Sequence, residues 1–113
     1  MEAAEDVGRA QSVAGAGAAA AAVATTLVAQ GDGWELRQVA AAPGATHGPR
    51  RADVDACVVI LSGEVVFCVD GQSHVLRTHA ALFVSAGAQR AFVAGRQGAL
   101  LLALHLPPRD AAS

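Results

Sequence analysis

Residues 55–71 read DACVVILSGEVVFCVDG. Apolar side chains alternate through this stretch, and the alternation changes phase at Ser62-Gly63. Before it, Ala56, Val58 and Ile60 share one face of a strand; after it, Val65, Phe67 and Val69 continue that face. A two-residue turn at Ser62-Gly63, with Gly63 at positive φ, accounts for the change of phase. The expected hairpin sets Leu61 opposite Glu64, Val59 opposite Val66 and Cys57 opposite Cys68. Its inward face is wholly apolar and belongs in a core. Its other face carries Cys57, Val59, Val66 and Cys68, too apolar a set for a solvated surface. A subunit interface or a layer from the N-terminal strands is expected to cover it.

Opposed residues of two antiparallel strands have Cα atoms about 4.5–5.5 Å apart, within reach of a disulfide. Cys57 and Cys68 are therefore a candidate redox pair. The alternative is that both are small apolar fillers, which suits a reducing compartment.

Outward from the hairpin, short apolar runs continue between Gly, Pro and Asp punctuation. Strands are expected at Thr26–Ala29, Trp34–Ala42, Asp55–Leu61, Glu64–Val69, Ser73–Leu76, Ala81–Val84, Ala91–Val93 and Ala99–Leu106. Breaks are expected at Gly31-Asp32-Gly33, Pro43-Gly44, Gly48-Pro49, Ser62-Gly63, Asp70-Gly71, Gly87 and Gly95. This spacing without a helical period indicates an all-β sandwich or barrel of about eight antiparallel strands. In the last strand, Leu100, Leu102, Leu104 and Leu106 share one face, with Leu101, Ala103 and His105 on the other. Trp34 and Leu36 share a face that reads as core, with Glu35 and Arg37 opposite.

The 113 residues suffice for one domain, with a barrel over residues 24–108 and a short tail at 109–113. Residues 1–23 are Ala- and Gly-rich and read as a disordered arm or a short helix. Acidic Glu2, Glu5 and Asp6 there outweigh Arg9, the wrong sign for a secretory leader, and alanine is too weakly apolar to span a membrane. Eight basic residues, all arginine, against ten acidic ones leave a net charge of −2. That excludes a general nucleic-acid grip and gives no electrostatic reason to approach an anionic membrane. Two cysteines without a CxxC pattern suit the cytoplasm. The chain also lacks GxSxG and a phosphate-cradling glycine loop before a helix.

The run PGATHGPRRADVDACVVILSGEVVFCVDGQ (residues 43–72), followed by VSAGAQRAF (84–92), resembles a small single-domain cupin. The resemblance covers Trp34 to Pro108 and implies a jelly-roll barrel. It rests on Gly44 and Gly63 at the two ends of the family's first motif, and on Gly87 in the second. In that frame the two His positions of the first motif hold Arg50 and Ala52, and its Glu position holds Ala56. The His position of the second motif holds Arg90. Ser85 replaces the motif proline, Ala94 the final Asn, and His79 the opening glycine. Alanine has no donor atom and guanidinium stays protonated, so the family's metal site is not expected here, and no cofactor is expected.

His47, His74, His79 and His105 are the remaining imidazoles, and no pair has HxH or HxxxH spacing. His47, His74 and His105 form the fallback metal set; the alternative is that each is a surface or singly bonded histidine. Arg50 and Arg90 are the sharpest feature. The frame points both into the barrel mouth, where a guanidinium needs an acid, a carbonyl, water or a ligand anion. One reading is a pair that holds a small carboxylate or phosphate, with Phe92 as an apolar wall. The other pairs them with Asp53, Asp55 or Glu64, or extends them to water.

Three functions follow. The first is a non-enzymatic homodimeric module that binds a small, anionic molecule through Arg50, Arg90 and Phe92. The second is a scaffold or interaction barrel with a filled interior. The third is a metal-dependent enzyme, of dioxygenase or isomerase type, with a rearranged histidine site. The order given is the order of preference.

Overall fold

Fifteen residues, Asp55–Val69, run as one uninterrupted strand across the molecule, and the fold is organised around it. The computed structural model describes residues 22–107. Most of the arm expected over 1–23 and all of the tail expected at 109–113 lie outside those residues. In chain order the strands are β1 (Val23–Gly31), β2 (Trp34–Ala41), β3 (Thr46–Arg51), β4 (Asp55–Val69), β5 (Gln72–Arg77), β6 (Ala81–Val84) and β7 (Gln89–Leu106). All pairings among them are antiparallel, as the sequence pattern indicated.

The two long strands, β4 and β7, pair on both sides of residues 95–98 of β7, from Asp55 opposite Leu106 to Val69 opposite Arg90. One end of this pair extends into β2, β1 and β6, and the other into β3 and β5. The register slips between Ile60 and Ser62 and again between Gly63 and Val65. These bulges bend the long pair into a corner, and two layers face each other across the core.

The corner replaces the expected hairpin turn. Gly63 does take positive φ, at +80°, but the chain continues as a strand. A Cβ at Gly63 would collide with the Gly98 carbonyl oxygen on β7, so only glycine lets the two backbones approach here. The change of inward parity between Ile60 and Val65 is real; its cause is a double bulge. Cys57 accordingly lies opposite Phe83 and Leu104, while Cys68 lies opposite Ser73 and Ala91. Both cysteines are free. The candidate Cys57–Cys68 redox pair is corrected: the two residues are not opposed but lie eleven positions apart on one strand, and the alternative of two apolar fillers is the one left standing.

The strand list changes in the same way. Asp55–Leu61 merges with Glu64–Val69, and Ala91–Val93 merges with Ala99–Leu106, so Gly95 is no break. β3 was not expected, because Gly48-Pro49 reads as an interruption. It pairs with β7 on both sides of that dipeptide and absorbs it in a bulge between His47 and Arg50.

The core holds the expected inward residues. Ala56, Val58, Ile60, Val65 and Phe67 from β4 are all buried, with Val84, Phe92 and Leu101 packed against them. Each such aliphatic or aromatic side chain contributes about 1.5–3 kcal/mol by leaving water. The outer face of β4 remains apolar: Val66 is exposed between Val75 of β5 and Val93 of β7, both also exposed.

Candidate functional site

The odd-numbered face of the last strand points between the layers. Leu101, Ala103 and His105 line a cavity of about 80 Å³ there. Its floor is apolar, built from Val58, Phe67, Val84 and Phe92. Phe67 and Phe92 are cross-strand partners whose rings stack with centroids 5.8 Å apart. The lining is also cationic, with Arg37, Arg50, Arg90, His47 and His105. Thr25 of β1 is the one hydroxyl among the described lining residues, and no carboxylate is among them.

Arg90 is buried, 6% exposed, and spent on backbone. Its Nη2 donates to the Ser85 carbonyl at 2.9 Å and its Nε to the Ala88 carbonyl at 3.2 Å. Both carbonyls belong to the loop between β6 and β7, the second-motif loop of the sequence frame. Three further contacts hold the same loop. The Ala86 N–H donates to Asp55 Oδ1 at 2.8 Å. Arg51 Nη1 donates to the Gly87 carbonyl at 2.8 Å. The Gly87 N–H donates to the Ala52 carbonyl at 2.8 Å. Arg90 therefore clamps the rim from inside. Burial, and then the charge of Arg50, push its guanidinium below the ordinary value.

Arg50 stands directly opposite Arg90 in the β3–β7 ladder. It is exposed at the cavity mouth. Among the described residues its side chain has no hydrogen-bond or ion-pair partner. Its charge reaches into the site: it disfavours protonation of His47, Arg90 and His105 alike.

His47 packs its ring against Phe92, with centroids 5.4 Å apart and planes at 35°. Burial, followed by Arg50, holds its pKa below the usual histidine value. His105 is also held low by burial, against the opposing pull of Glu35, whose Oε2 lies 3.6 Å from His105 Nδ1. Glu35 is itself held low, first by its hydrogen bond from Arg37 Nε at 2.9 Å. Arg37, Glu35 and His105 thus form one connected group beside the cavity.

Arg50, Arg90, Phe92, His47 and His105 are brought together in one cavity, as the frame implied for the first three. His74 is not among the lining residues; it is half-buried opposite Phe67 on β5. His79 lies exposed in the turn before β6. The reading of β2 is reversed. Trp34 is 39% exposed, and the face of Arg37 and Val39 is the one turned to the cavity. Alternation defines two faces, and the pairing of β2 with β7 decides which is inside: Arg37 sits opposite Ala103 and Val39 opposite Leu101. Arg37 and Thr25 were missed as site residues. The cue was the parity shared by Glu35, Arg37 and Val39 with Leu101, Ala103 and His105.

Among the described residues no three His, Cys, Asp or Glu side chains gather as a metal-binding group. His47 and His105 are the imidazoles in the cavity, and three guanidinium groups line it with them. That donor set does not fit a divalent transition metal, which needs neutral or anionic ligands and is repelled by fixed cations. No helix among the described residues is long and apolar enough to cross a membrane.

No protein-family model matches this sequence, and no curated protein is significantly similar to it. Solved structures are similar to it. An RmlC-like cupin from Shewanella frigidimarina superposes with a TM-score of 0.72 at 17% identity, over 82% of this chain and 83% of that one. KdgF from Halomonas sp. superposes with a TM-score of 0.72 at 20% identity, over 80% and 84% of the two chains. A cupin superfamily protein from Desulfitobacterium hafniense gives 0.68 at 26% identity, over 76% and 78%. With its bent β4–β7 pair, its cavity between two antiparallel layers and these structural neighbours, the chain has the cupin fold.

Proposed function

We propose that this chain is a non-enzymatic cupin-fold module that binds a small anionic molecule in the cavity between its layers. The observation that carries this function is the contrast between Arg90, satisfied by two carbonyls, and Arg50, which lines the cavity with no hydrogen-bond or ion-pair partner among the described residues. Two guanidinium groups opposed in one ladder repel each other, and an anion between them and the solvent relieves that repulsion. Guanidinium presents a planar fork that fits a carboxylate or phosphate through two parallel hydrogen bonds. The apolar floor beneath supplies burial for the rest of the ligand.

A catalytic role has less support. The described lining offers no Ser, Cys, Asp or Glu as nucleophile or carboxylate base, and His47 and His105 sit in a cationic setting. A scaffold role is disfavoured by a cavity that the side chains leave open.

Isothermal titration of the purified protein with phosphate, acetate and malonate, beside glycerol as a neutral control, tests this function. At least one anion binds one per chain, and Arg50→Gln weakens it at least tenfold. Failure of every anion to bind the wild-type protein overturns it. Retention of about one transition metal per chain, lost in His47→Ala, replaces it with the metal enzyme.

A further inference from the structure

We infer that the ligand is a short aliphatic monocarboxylate of about four carbons, its carboxylate on Arg50 and its tail on Phe67 and Phe92. This ligand class rests on the anion-binding function proposed above and narrows it.

Charge sets the first limit. Three arginines line the cavity, but Arg37 is bound to Glu35 and Arg90 to the Ser85 and Ala88 carbonyls. Arg50 alone among the described lining residues keeps its whole guanidinium fork free, so one carboxylate finds a two-bonded seat there. A second carboxylate, as in malonate, finds no second free guanidinium fork among the described lining residues, and burying it against the apolar wall is disfavoured.

Polarity sets the second. Much of the lining is apolar, with Val58, Phe67, Val84, Phe92 and Leu101 in it, and beside Arg50 its polar groups are Thr25, Arg37, Arg90, His47 and His105. A sugar or polyol turns the hydroxyl groups on one of its sides against the apolar wall, and each group left unmet there weakens binding. An unsubstituted hydrocarbon tail meets no such penalty.

Size sets the third. The cavity is about 80 Å³, roughly half the ~150 Å³ of an engineered apolar cavity that accepts benzene. Half of a six-carbon ring is a tail of about three carbons. Adding the carboxylate carbon at the mouth gives butanoate or a branched isomer.

The test is calorimetric titration of the full chain with acetate, propanoate, butanoate, hexanoate and octanoate, and with butanamide, malonate and phosphate. Affinity rises about fourfold per methylene from acetate to butanoate, and falls again at hexanoate and octanoate. Butanamide, which keeps the tail and loses the charge, binds at least tenfold more weakly. Arg50→Gln removes the difference between butanoate and butanamide. Ala103→Leu, which fills the cavity from β7, removes the gain from acetate to butanoate. Affinity that ignores chain length in the wild-type protein, or that favours malonate or phosphate over butanoate, overturns the monocarboxylate and leaves anion binding standing. No binding by any anion overturns both.

Discussion

Arg50 on β3 and Arg90 on β7 are cross-strand partners, yet only Arg90 is tied down. The same residue type in the same ladder rung does two jobs. Arg90, at the second-motif His position of the sequence frame, uses its guanidinium to hold the loop between β6 and β7. Among the described residues no side chain or carbonyl holds the Arg50 guanidinium, and its charge faces solvent or ligand.

The two arginines therefore separate under mutation. Arg90→Met keeps most of the apolar stem and deletes two charge-assisted hydrogen bonds, each worth about 1.5–3 kcal/mol when fully buried. The Ser85 carbonyl keeps its bond from the Ala88 N–H at 3.1 Å, which reduces the loss. The expected cost is about 1–3 kcal/mol in urea unfolding. Arg50→Met removes an unpaired exposed cation and relieves its repulsion with Arg90, so stability changes by about 0.5 kcal/mol or less. Equal losses for the two variants would show that Arg50 is also a structural clamp.

Protonation of the cavity histidines has an opposite effect on the free and the liganded protein. His47 and His105 have folded-state pKa values below the ordinary value of 6.5, mainly because burial penalises the charged ring. As pH falls through that value the unfolded chain takes up protons first, so the free protein loses stability on acidification. Glu35 adds to that loss at lower pH: its folded pKa is depressed below 4.5, so its contribution is present above that value and fades beneath it. A bound carboxylate reverses the sign at the histidines, because a neighbouring anion raises their pKa. Anion affinity is expected to rise from pH 7 toward pH 5, then fall once the carboxylate itself protonates at about pH 4–5. Titration in two buffers of different ionisation enthalpy reads the proton uptake directly. A pH-independent affinity with no proton uptake would place the ligand away from both rings.

Much of this architecture is legible in the sequence, and the misreadings have physical causes. The inward set Ala56, Val58, Ile60, Val65 and Phe67 follows from alternation alone, because a slip of one residue would expose all of it. The phase change at Gly63 is legible, but a hairpin turn and a pair of bulges both use a glycine at positive φ. The choice between them depends on what stands opposite, which is Ala99 of β7. β3 is hidden because Pro49 breaks its pattern while leaving its pairing with β7 in place. Arg50 and Arg90 are singled out by their place in the motif frame, and Phe92 by sharing the parity of Arg90. Arg37 is missed because polar alternation on β2 looks like an outer face until β7 is laid beside it.

The bulge at the corner gives a graded glycine experiment. Gly63 and Gly71 have nearly the same backbone, with φ of +80° and +85°. A Cβ at Gly71 meets nothing within 4 Å, whereas one at Gly63 meets the Gly98 carbonyl oxygen and, at 2.9 Å, the Ala99 Cα. Gly71→Ala should cost about 1–2 kcal/mol, the left-handed penalty alone. Gly63→Ala adds a backbone collision that no rotamer relieves, and should cost at least about 3 kcal/mol or prevent folding. Thermal denaturation of the two variants side by side separates conformation from contact. Equal costs would mean that β4 turns at Gly63 without β7 against it.

The cysteines test the continuity of β4 from the other side. A hairpin at Ser62-Gly63 sets Cys57 and Cys68 face to face within disulfide range; a continuous strand sets them eleven residues apart along one chain direction. At about 3.3 Å per residue the chain between them is roughly 36 Å long, and they pair with different strands, Cys57 with β6 and Cys68 with β5. A disulfide needs Cα atoms within about 7 Å, so no backbone adjustment short of unfolding brings the thiols together. Mild oxidation of the native protein, for instance with diamide, should therefore yield no intramolecular bridge. After denaturation in the absence of reductant, both thiols should still react with a mass-labelling reagent. Cys57→Ala and Cys68→Ala should each shift the melting temperature by the same amount under oxidising and reducing conditions, because neither removes a cross-link. An intramolecular disulfide found by peptide mapping of the oxidised native protein would restore the hairpin. It would also dissolve the β4–β7 corner, and with it the pairing of Phe67 with Phe92 that floors the cavity.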